Sequence, residues 1–331
     1  MQRNRNIVYM WSPARRRYFV LARTGSSIFV CVVVFAVFGA AQRVVPTPTP
    51  DEGIRIKTEI VNLLVDVTDR DGLSVNGLNK QDFSVKDNGT PQSISYFGDD
   101  DSPVSIGIVF DLSGSMKHSI ALARTALEKF VAASHPRDEY FLLAFNKNSQ
   151  LLLDHAIHGE EVVKQLERAE PSGNTSLYDA VYLGLDQVQR GIYRRKVMLV
   201  ITDGQDNSSR YTIKDVIRGE QEAGVTVFTV GLEEGLFLSE RRTSRYVLDE
   251  ITRSTGGRSY FPYDRDQMDT VFEQIALEIR KLYAMAYAPS PVPTLRGWHT
   301  ISVKLVKNAR THGLRIRTRS GYIAGVAAPV N

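Results

Sequence analysis

The sequence predicts an α/β protein whose doubly wound, mostly parallel sheet is inserted between two β-rich flanks. Three observations lead to this fold class. Residues 104–282 alternate short apolar runs with stretches of helical periodicity, whereas residues 54–103 and 283–325 carry strand and turn patterns only, and the two flanks differ in charge. Alternating strands and helices are typical of a parallel sheet with helices on both faces.

The apolar runs of the central region have the length and composition of strands that are buried on both faces. The stretches between them place apolar residues three and four positions apart, which predicts helices. The predicted strands comprise residues 104–110, 140–145, 197–201 and 225–230, and the predicted helices lie near residues 120–131, 176–190, 212–222, 245–254 and 266–282. This order predicts a Rossmann-like sheet.

The two flanks are too short to form independent sheets with two good faces. Ile60–Val67 and Phe83–Val85 have strand composition in the first flank. Residues 51–103 have a net charge of −6, whereas residues 283–331 have seven basic and no acidic residues. We therefore expect the flanks to pair into one β-sandwich, with residues 104–282 as an insertion.

Arg315, Arg317 and Arg319 alternate in the second flank, so they lie on one face of a predicted strand. Two interpretations are open. The face either binds an anionic polymer, such as lipopolysaccharide or nucleic acid, or it faces the acidic first flank. We favour the second interpretation, because a strand face of a single charge needs no ligand.

The first 41 residues have the plan of a signal peptide. Six arginines precede the uncharged apolar run Ile28–Ala41, which ends in Gly39-Ala40-Ala41. Small residues at these positions suit signal peptidase, so we expect cleavage near Ala41 and a secreted, periplasmic or cell-surface protein. The run is shorter than the ~20 residues of a comfortable membrane span, and an uncleaved anchor at residues 28–41 is the alternative.

The leader also explains two features of the composition. Without its six arginines, the chain has 35 Lys and Arg against 37 Asp and Glu, so the charge gives no reason to expect a nucleic-acid partner. Cys31 is the only cysteine, so residues after the leader offer no disulfide and no thiolate metal site. Three prolines predict an extended linker at residues 42–53, and residues 326–331 are expected to be a tail.

Oxygen-bearing side chains follow two of the predicted strands. Asp111-Leu112-Ser113-Gly114-Ser115 follows the first strand, and Asp203-Gly204 follows strand 197–201. Ligands of open parallel sheets bind outside the carboxyl ends of the strands, so these side chains are expected to converge. The polar loop at residues 172–176 precedes a helix and can present Thr175 to the same point.

The candidate metal ligands are Asp111, Ser113, Ser115, Thr175 and Asp203, and all of them offer oxygen. Such ligands suit Mg²⁺, with Mn²⁺ and Ca²⁺ as alternatives, and do not suit zinc or copper. Two carboxylates and neutral hydroxyls leave a divalent cation poor in negative charge. The cation would therefore accept a carboxylate from outside at an open position.

This set of residues resembles the complete metal-ion-dependent adhesion site (MIDAS) of von Willebrand factor A domains, and the flanks look like those of the bacterial VWFA-related group. The resemblance covers the predicted α/β region. It implies direct ligation by Ser113, Ser115 and usually Thr175, with Asp111 and Asp203 often acting through water. It also implies a module for adhesion or interaction that binds an Asp or Glu of a partner protein and catalyses no reaction.

Asn174, Gly204 and Asp206 are predicted to lie on the face that a partner would contact. The polar loop around Asp206 either tunes specificity or caps the helix that begins near Thr212. The sequence leaves both roles open.

Two other functions are compatible with the same residues. The first is a structural or assembly role, in which the metal only stabilises the protein. The second is an aspartate-based, Mg²⁺-dependent phosphatase, in which Asp111 would be the nucleophile. The phosphatase interpretation lacks a general acid, because Ser113 stands where the second acidic residue is needed. No Gly-x-Ser-x-Gly elbow of a serine hydrolase follows a strand.

Overall fold

The computed structural model describes residues 60–98, 101–167, 169–308 and 310–325, and these belong to one compact unit. The predicted signal peptide, linker and tail lie outside the described residues. Among the described helices, none has both the length and the apolar composition that crossing a bilayer requires.

The first flank contributes four strands. They are β1 (Val61–Thr68), β2 (Phe83–Asp87), β3 (Thr90–Gln92) and β4 (Ile94–Gly98). Asn88 and Gly89 join β2 to β3 with φ angles of 46° and 83°. Two consecutive positive φ angles give the backbone twist that a two-residue hairpin needs, and the Asn-Gly pair adopts them at low cost.

The central region alternates strands and helices. Its strands are β5 (Ser105–Asp111), β6 (Glu139–Phe145), β7 (Ser149–Ala156), β8 (Lys196–Thr202), β9 (Thr226–Gly231) and β10 (Ser259–Tyr260). Its helices are α1 (Ile120–Ala133), α2 (Glu160–Leu166), α3 (Leu177–Gln189), α4 (Ile213–Ala223), α5 (Leu238–Arg253) and α6 (Arg265–Lys281). The sequence pattern did not predict β7, β10 or α2.

The central sheet has the strand order β10-β9-β8-β5-β6-β7, and only β7 runs antiparallel to its neighbour. Helices α1, α2 and α6 cover one face, with Phe130 and Phe272 in their core. Helices α3, α4 and α5 cover the other face, with Val181, Val216 and Leu248 in theirs. The predicted doubly wound, mostly parallel sheet is confirmed.

The second flank contributes β11 (Tyr283–Tyr287), β12 (Gly297–Leu305), β13 (Arg315–Thr318) and β14 (Gly321–Ala324). Strands of both flanks mix in two antiparallel sheets, with the orders β13-β1-β11-β4 and β14-β12-β2-β3. Leu63, Val85, Tyr287 and Val303, from both sheets, belong to one buried apolar core. The two sheets therefore pack as a sandwich, while the predicted domain boundaries stay a prediction.

Two of the three alternating arginines of the second flank are held by groups of the protein itself. Arg317 donates to Asp66 Oδ2 of β1 at 2.8 Å and also to Glu278 of α6, and both carboxylates are buried. Arg319 is buried and donates to the carbonyl oxygens of Gly321 and Gln221. The contact of Arg317 with Asp66 favours the interpretation in which the basic face meets the acidic first flank.

Arg195 contacts both segments through which the chain passes between the flanks and the central region. Its guanidinium is buried and donates to the carbonyl oxygen of Ser102, where the chain enters. It also donates to the carbonyl oxygens of Ile279 and Leu282, where the chain leaves, at 2.6 and 3.2 Å. One side chain thus contacts the chain at both ends of the central region.

We predict that Arg317→Met lowers the free energy of unfolding by about 3 kcal/mol, because it leaves two buried carboxylates without their cation. This loss of stability lies at the lower end of the range for breaking a buried ion pair, because a second cation remains close to Asp66. Arg258 Nη2 lies 4.0 Å from Asp66 Oδ2. Urea denaturation measures the effect. Arg315→Met, at the exposed first residue of the same strand, is the matched control and should change stability by less than about 0.5 kcal/mol. Equal effects of the two substitutions would contradict the prediction.

We also predict that residues 104–282 fold when they are produced alone, because both apolar cores of the central sheet lie within this range. Circular dichroism and a cooperative thermal transition would test folding. If this fragment is unfolded while the full chain is folded, the central region is not an independent insertion.

Candidate metal centre

The pairing of β5 with β8 brings the two predicted acidic ligands to one edge of the sheet. The parallel register sets Phe110 of β5 opposite Ile201 of β8, so Asp111 and Asp203 leave the sheet side by side. Both aspartates are buried. The carboxyl ends of these two strands therefore present two carboxylates to the same point, as the sequence predicted.

Both carboxylate oxygens of Asp111 are already held by neighbouring groups. Oδ1 accepts a hydrogen bond from the backbone N of Ser113 at 2.7 Å, and Oδ2 accepts one from Thr202 Oγ1 at 2.6 Å. Burial raises the pKa of Asp111 to about 7, the bonds from Thr202 and Ser113 oppose that rise, and the nearby Asp203 carboxylate adds to it. A positive charge at this point would favour the ionised form.

Three loops meet at this edge and are tied to one another. They are the first loop (residues 111–115), the second loop (residues 172–176) and the third loop (residues 203–209). Gly114 N donates to the carbonyl oxygen of Gly173 at 3.0 Å, which ties the first loop to the second. Thr175 N donates to Asn207 Oδ1 at 2.9 Å, which ties the second loop to the third. The contact of Asp111 with the end of β8 closes the ring.

The predicted hydroxyl ligands lie within this ring. Ser113 Oγ and Ser115 Oγ are 3.0 Å apart. Ser113 and Thr175 are buried, whereas Ser115 is exposed. The oxygens thus run from the interior to the surface, and a ligand from outside would approach on the side of Ser115.

The hydrogen bonding of the Asp203 carboxylate indicates whether a cation fits between the three loops. Its Oδ1 accepts a hydrogen bond from Gln205 N at 3.0 Å, whereas its Oδ2 is buried and has no hydrogen-bond partner among the described residues. A buried carboxylate oxygen without a partner is costly, because it has lost its water and gained nothing in return. Two carboxylates and three hydroxyls fit a hard divalent cation, which would satisfy this oxygen.

The described residues contain no group of three or more His, Cys, Asp or Glu side chains that could hold a metal. The candidate centre therefore differs from an ordinary acidic cation site in its low formal charge. Its only acidic members are Asp111 and Asp203, and the remaining oxygens are neutral.

The three residues predicted for the partner face differ in exposure. Asn174 is exposed and lies at the tip of the second loop. Gly204 is buried; its φ is 78°, and a Cβ there would lie 2.2 Å from Ser244 Oγ of α5. This position therefore needs glycine because the third loop backs closely onto α5.

Asp206 is half-buried and holds the start of α3 through a hydrogen bond from Tyr178 N at 3.4 Å. The cap of α4 is Thr212, whose backbone N donates to Asp215 Oδ2 at 2.9 Å and whose Oγ1 accepts from Asp215 N at 3.4 Å. Of the two roles left open for this loop, capping of α4 therefore belongs to Thr212 and not to Asp206.

Two residues of the site were not singled out from the sequence. Thr202 donates to Asp111, and its Oγ1 also accepts a hydrogen bond from Gly204 N at 3.0 Å. Asn207 holds the Thr175 backbone from both sides, since its own N donates to the Thr175 carbonyl oxygen at 3.0 Å. A polar residue at the end of an otherwise apolar strand was a signal for Thr202, whereas the role of Asn207 depends on a contact between distant loops.

We predict that Asn207→Ala weakens the apparent affinity for Mg²⁺ by about 10- to 100-fold, because groups that orient metal ligands have effects of this size. The measurement is the Mg²⁺ dependence of the melting temperature. Asn148→Ala, in an exposed position after β6, is the matched control and should leave that dependence unchanged. The hypothesis fails if both variants respond to Mg²⁺ like the unaltered chain.

A family model described as the von Willebrand factor type A domain matches residues 105–274 of the chain. A comparison with curated proteins found no match.

Several solved structures are similar to the chain at low identity. A conserved hypothetical protein, BatB from Bacteroides thetaiotaomicron, is 15% identical with a TM-score of 0.41, over 53% of this chain and 98% of that one. A von Willebrand factor type A structure from Catenulispora acidiphila is 11% identical with a TM-score of 0.45, over 82% and 75%. Proximal thread matrix protein 1 from the mussel byssus, with a zinc-occupied MIDAS motif, is 17% identical with a TM-score of 0.44, over 58% and 50%. With TM-scores below 0.5, these likenesses support no conclusion about function.

Proposed function

The chain belongs to the von Willebrand factor type A domain family, and from that premise we propose that it is a metal-dependent module that binds another protein. The cation is Mg²⁺, with Mn²⁺ and Ca²⁺ as alternatives, and the partner contributes an Asp or Glu carboxylate. The module catalyses no reaction. The proposed ligands are Asp111, Ser113, Ser115, Thr175 and Asp203.

The buried, unpartnered Oδ2 of Asp203 is the observation that carries this proposal. If no cation bound at this point, we would expect a hydrogen-bond donor of the protein to satisfy that oxygen. The three loops instead keep it beside the Asp111 carboxylate, and like charges so close in a buried place repel each other. A divalent cation removes both costs at once.

The bound cation would supply a Lewis-acidic centre with an open position. Asp111 and Asp203 balance its charge formally, and the hydroxyls of Ser113, Ser115 and Thr175 add none. The partner's carboxylate is therefore attracted more strongly than it would be by a centre with three or four acidic ligands. Ser115 is the exposed member, so we place the partner's approach beside it.

The proposed location is outside the cytoplasm, through the leader at residues 1–41. Support comes from its six arginines, its apolar run and the small residues that end it. An anchor formed by residues 28–41 is the alternative and would be the only contact with a membrane.

A structural role, in which the cation only stabilises the fold, is favoured by one observation: Asp111, Ser113, Thr175 and Asp203 are all buried. A cation held so deeply would add stability with or without a partner. Metal binding alone therefore does not separate this role from binding of a partner, whereas loss of a metal ligand does. The phosphatase alternative has less support, because Ser113 stands in the place of its general acid.

We predict that Mg²⁺ at about 100 times its dissociation constant raises the free energy of unfolding of the full chain by about 2.7 kcal/mol, since it binds only the folded state. Thermal melts with Mg²⁺, Mn²⁺, Ca²⁺ or EDTA measure the shift. Absence of a shift with all three cations would remove the metal centre from the proposal.

We predict that Asp111→Ala abolishes EDTA-sensitive capture of a partner in a crosslinking pull-down, while the variant keeps the circular dichroism of the unaltered chain. The reason is that the variant loses a cation ligand but no part of either apolar core. Asp186→Ala, which removes only an exposed ion pair with Arg190, is the control and should retain capture. Unchanged capture together with a lowered melting temperature of Asp111→Ala would favour the structural role.

A further inference from the structure

We propose that the partner of the metal centre is an acidic protein segment with an apolar side chain a few residues from the metal-bound carboxylate. That side chain docks on the beginning of α5. The docking surface consists of Phe237, Leu238, Arg241 and Arg242 and is called the α5 face below. This inference rests on the proposed function, because it describes the partner of the same site.

The α5 face lies at the same edge of the sheet as the metal centre. Ser119, four residues after the first loop, donates from its Oγ to Glu234 Oε2 at 3.3 Å. Glu234 is three residues before Phe237, a stretch of chain that spans at most about 10 Å. Ser244, in the second turn of α5, donates from its Oγ to the carbonyl oxygen of Asp203 at 2.5 Å. The segment that leads into α5 is therefore tied to the chain that follows the first loop, and the second turn of α5 is tied to the third loop.

Two adjacent apolar side chains stand exposed at this point. Phe237 is 76% exposed and Leu238 is 69% exposed. Phe237 is the N-cap residue of α5 and Leu238 is the first helical residue. Ser, Thr, Asp and Asn stabilise a helix in the N-cap position because their side chains accept a backbone hydrogen bond, which phenylalanine cannot do.

The helix start compensates for this missing cap in another way. Glu240 accepts the hydrogen bond of Phe237 N at 2.7 Å. The side chains of the apolar pair therefore provide no cap for the helix and leave most of their surface outside the fold. Departures from a local stability rule without a gain in the fold are expected at functional or strained sites, and we assign a binding role to this pair. Apolar residues exposed side by side are also typical of interaction surfaces.

Charge selects the kind of partner. Arg241 and Arg242 are exposed one turn after the apolar pair. Arg245, one further turn along, is instead neutralised by Glu233, with Nε and Oε1 2.5 Å apart. Two guanidinium groups beside a cation attract a segment that has further acidic residues around the metal-bound one and repel a basic segment.

The partner is a protein segment because its carboxylate has to reach ligands that are mostly buried. A side chain that projects from an extended strand or loop satisfies this condition, and the same segment carries an apolar neighbour onto the α5 face. An anionic membrane would engage the apolar and basic residues without needing the cation. Dependence on metal therefore separates the two.

Synthetic ten-residue peptides provide the probe. Each contains one central Glu in a Ser and Gly background, with or without a Leu three to five positions away and with or without two additional Asp residues. Fluorescence anisotropy measures their binding to the full chain in Mg²⁺ and in EDTA. We expect peptides with Leu to bind about tenfold more tightly than their Ser counterparts, as burial of one leucine allows, and no peptide to bind in EDTA.

The double variant Phe237→Ser with Leu238→Ser should abolish the preference for Leu and leave the affinity for the Ser peptides unchanged. Leu295→Ser is its matched control, because Leu295 is 81% exposed and lies in the flank. Arg241→Ser with Arg242→Ser should weaken only the peptides that carry the additional Asp residues. Arg253→Ser, at the other end of α5, should not change their binding.

Each contrary outcome has one meaning. EDTA-sensitive binding without a preference for Leu overturns this inference and leaves the proposed function intact. Peptide binding that is equal in EDTA and Mg²⁺ overturns the proposed function, and this inference with it. Binding to phosphatidylcholine–phosphatidylglycerol vesicles that is insensitive to EDTA and is lost in the Phe237 and Leu238 variant overturns the choice of a protein segment.

Discussion

The parallel pairing of β5 with β8 is the constraint on which the candidate metal centre depends. Its register decides that two aspartates from segments 92 residues apart in sequence leave the sheet as neighbours. Both strands are buried on both faces, so a shift of either one would expose apolar side chains and break the packing of the helices on both faces of the sheet. The geometry of the site is therefore maintained by the two cores, and its loops do not have to maintain it alone.

The loops of the candidate site are held firmly by hydrogen bonds, whereas the negative charge of its buried carboxylates is only partly neutralised. Hydrogen bonds between the three loops fix the backbone around Thr175 and Gly114. The carboxylate of Asp111 is fully engaged, whereas one oxygen of Asp203 is not. A protein pays for such an arrangement in stability, because buried charge without a partner disfavours folding. A cation at the proposed centre would make the arrangement favourable, and under the proposed function both the apparent stability and the binding of a partner then depend on metal.

The sequence predicted the parts of the fold that depend on local pattern. The apolar runs of β5, β6, β8 and β9 and the helices with a clear apolar stripe were found because one face or both must be buried. The edge strand β7 was missed because its residues are mostly half-buried or exposed and include Ser149, Gln150, Asp154 and His155. Helix α2 was missed because seven residues give too short a periodic pattern.

The candidate ligands were predictable for a similar reason, since each follows a strand or precedes a helix in a recognisable spacing. The residues that position them were harder to find. Thr202 looks like one more strand residue, and Asn207 acts on a loop 32 positions earlier, so only the folded chain shows its role. The buried state of Gly204 likewise depends on Ser244 of α5, which no local pattern reveals.

The buried guanidinium of Arg195 has a mechanical consequence. Because it binds both chain segments that connect the central region to the sandwich, tension from a partner bound at the proposed metal centre would be shared between the two segments, and rotation of the central region about either one would break these hydrogen bonds.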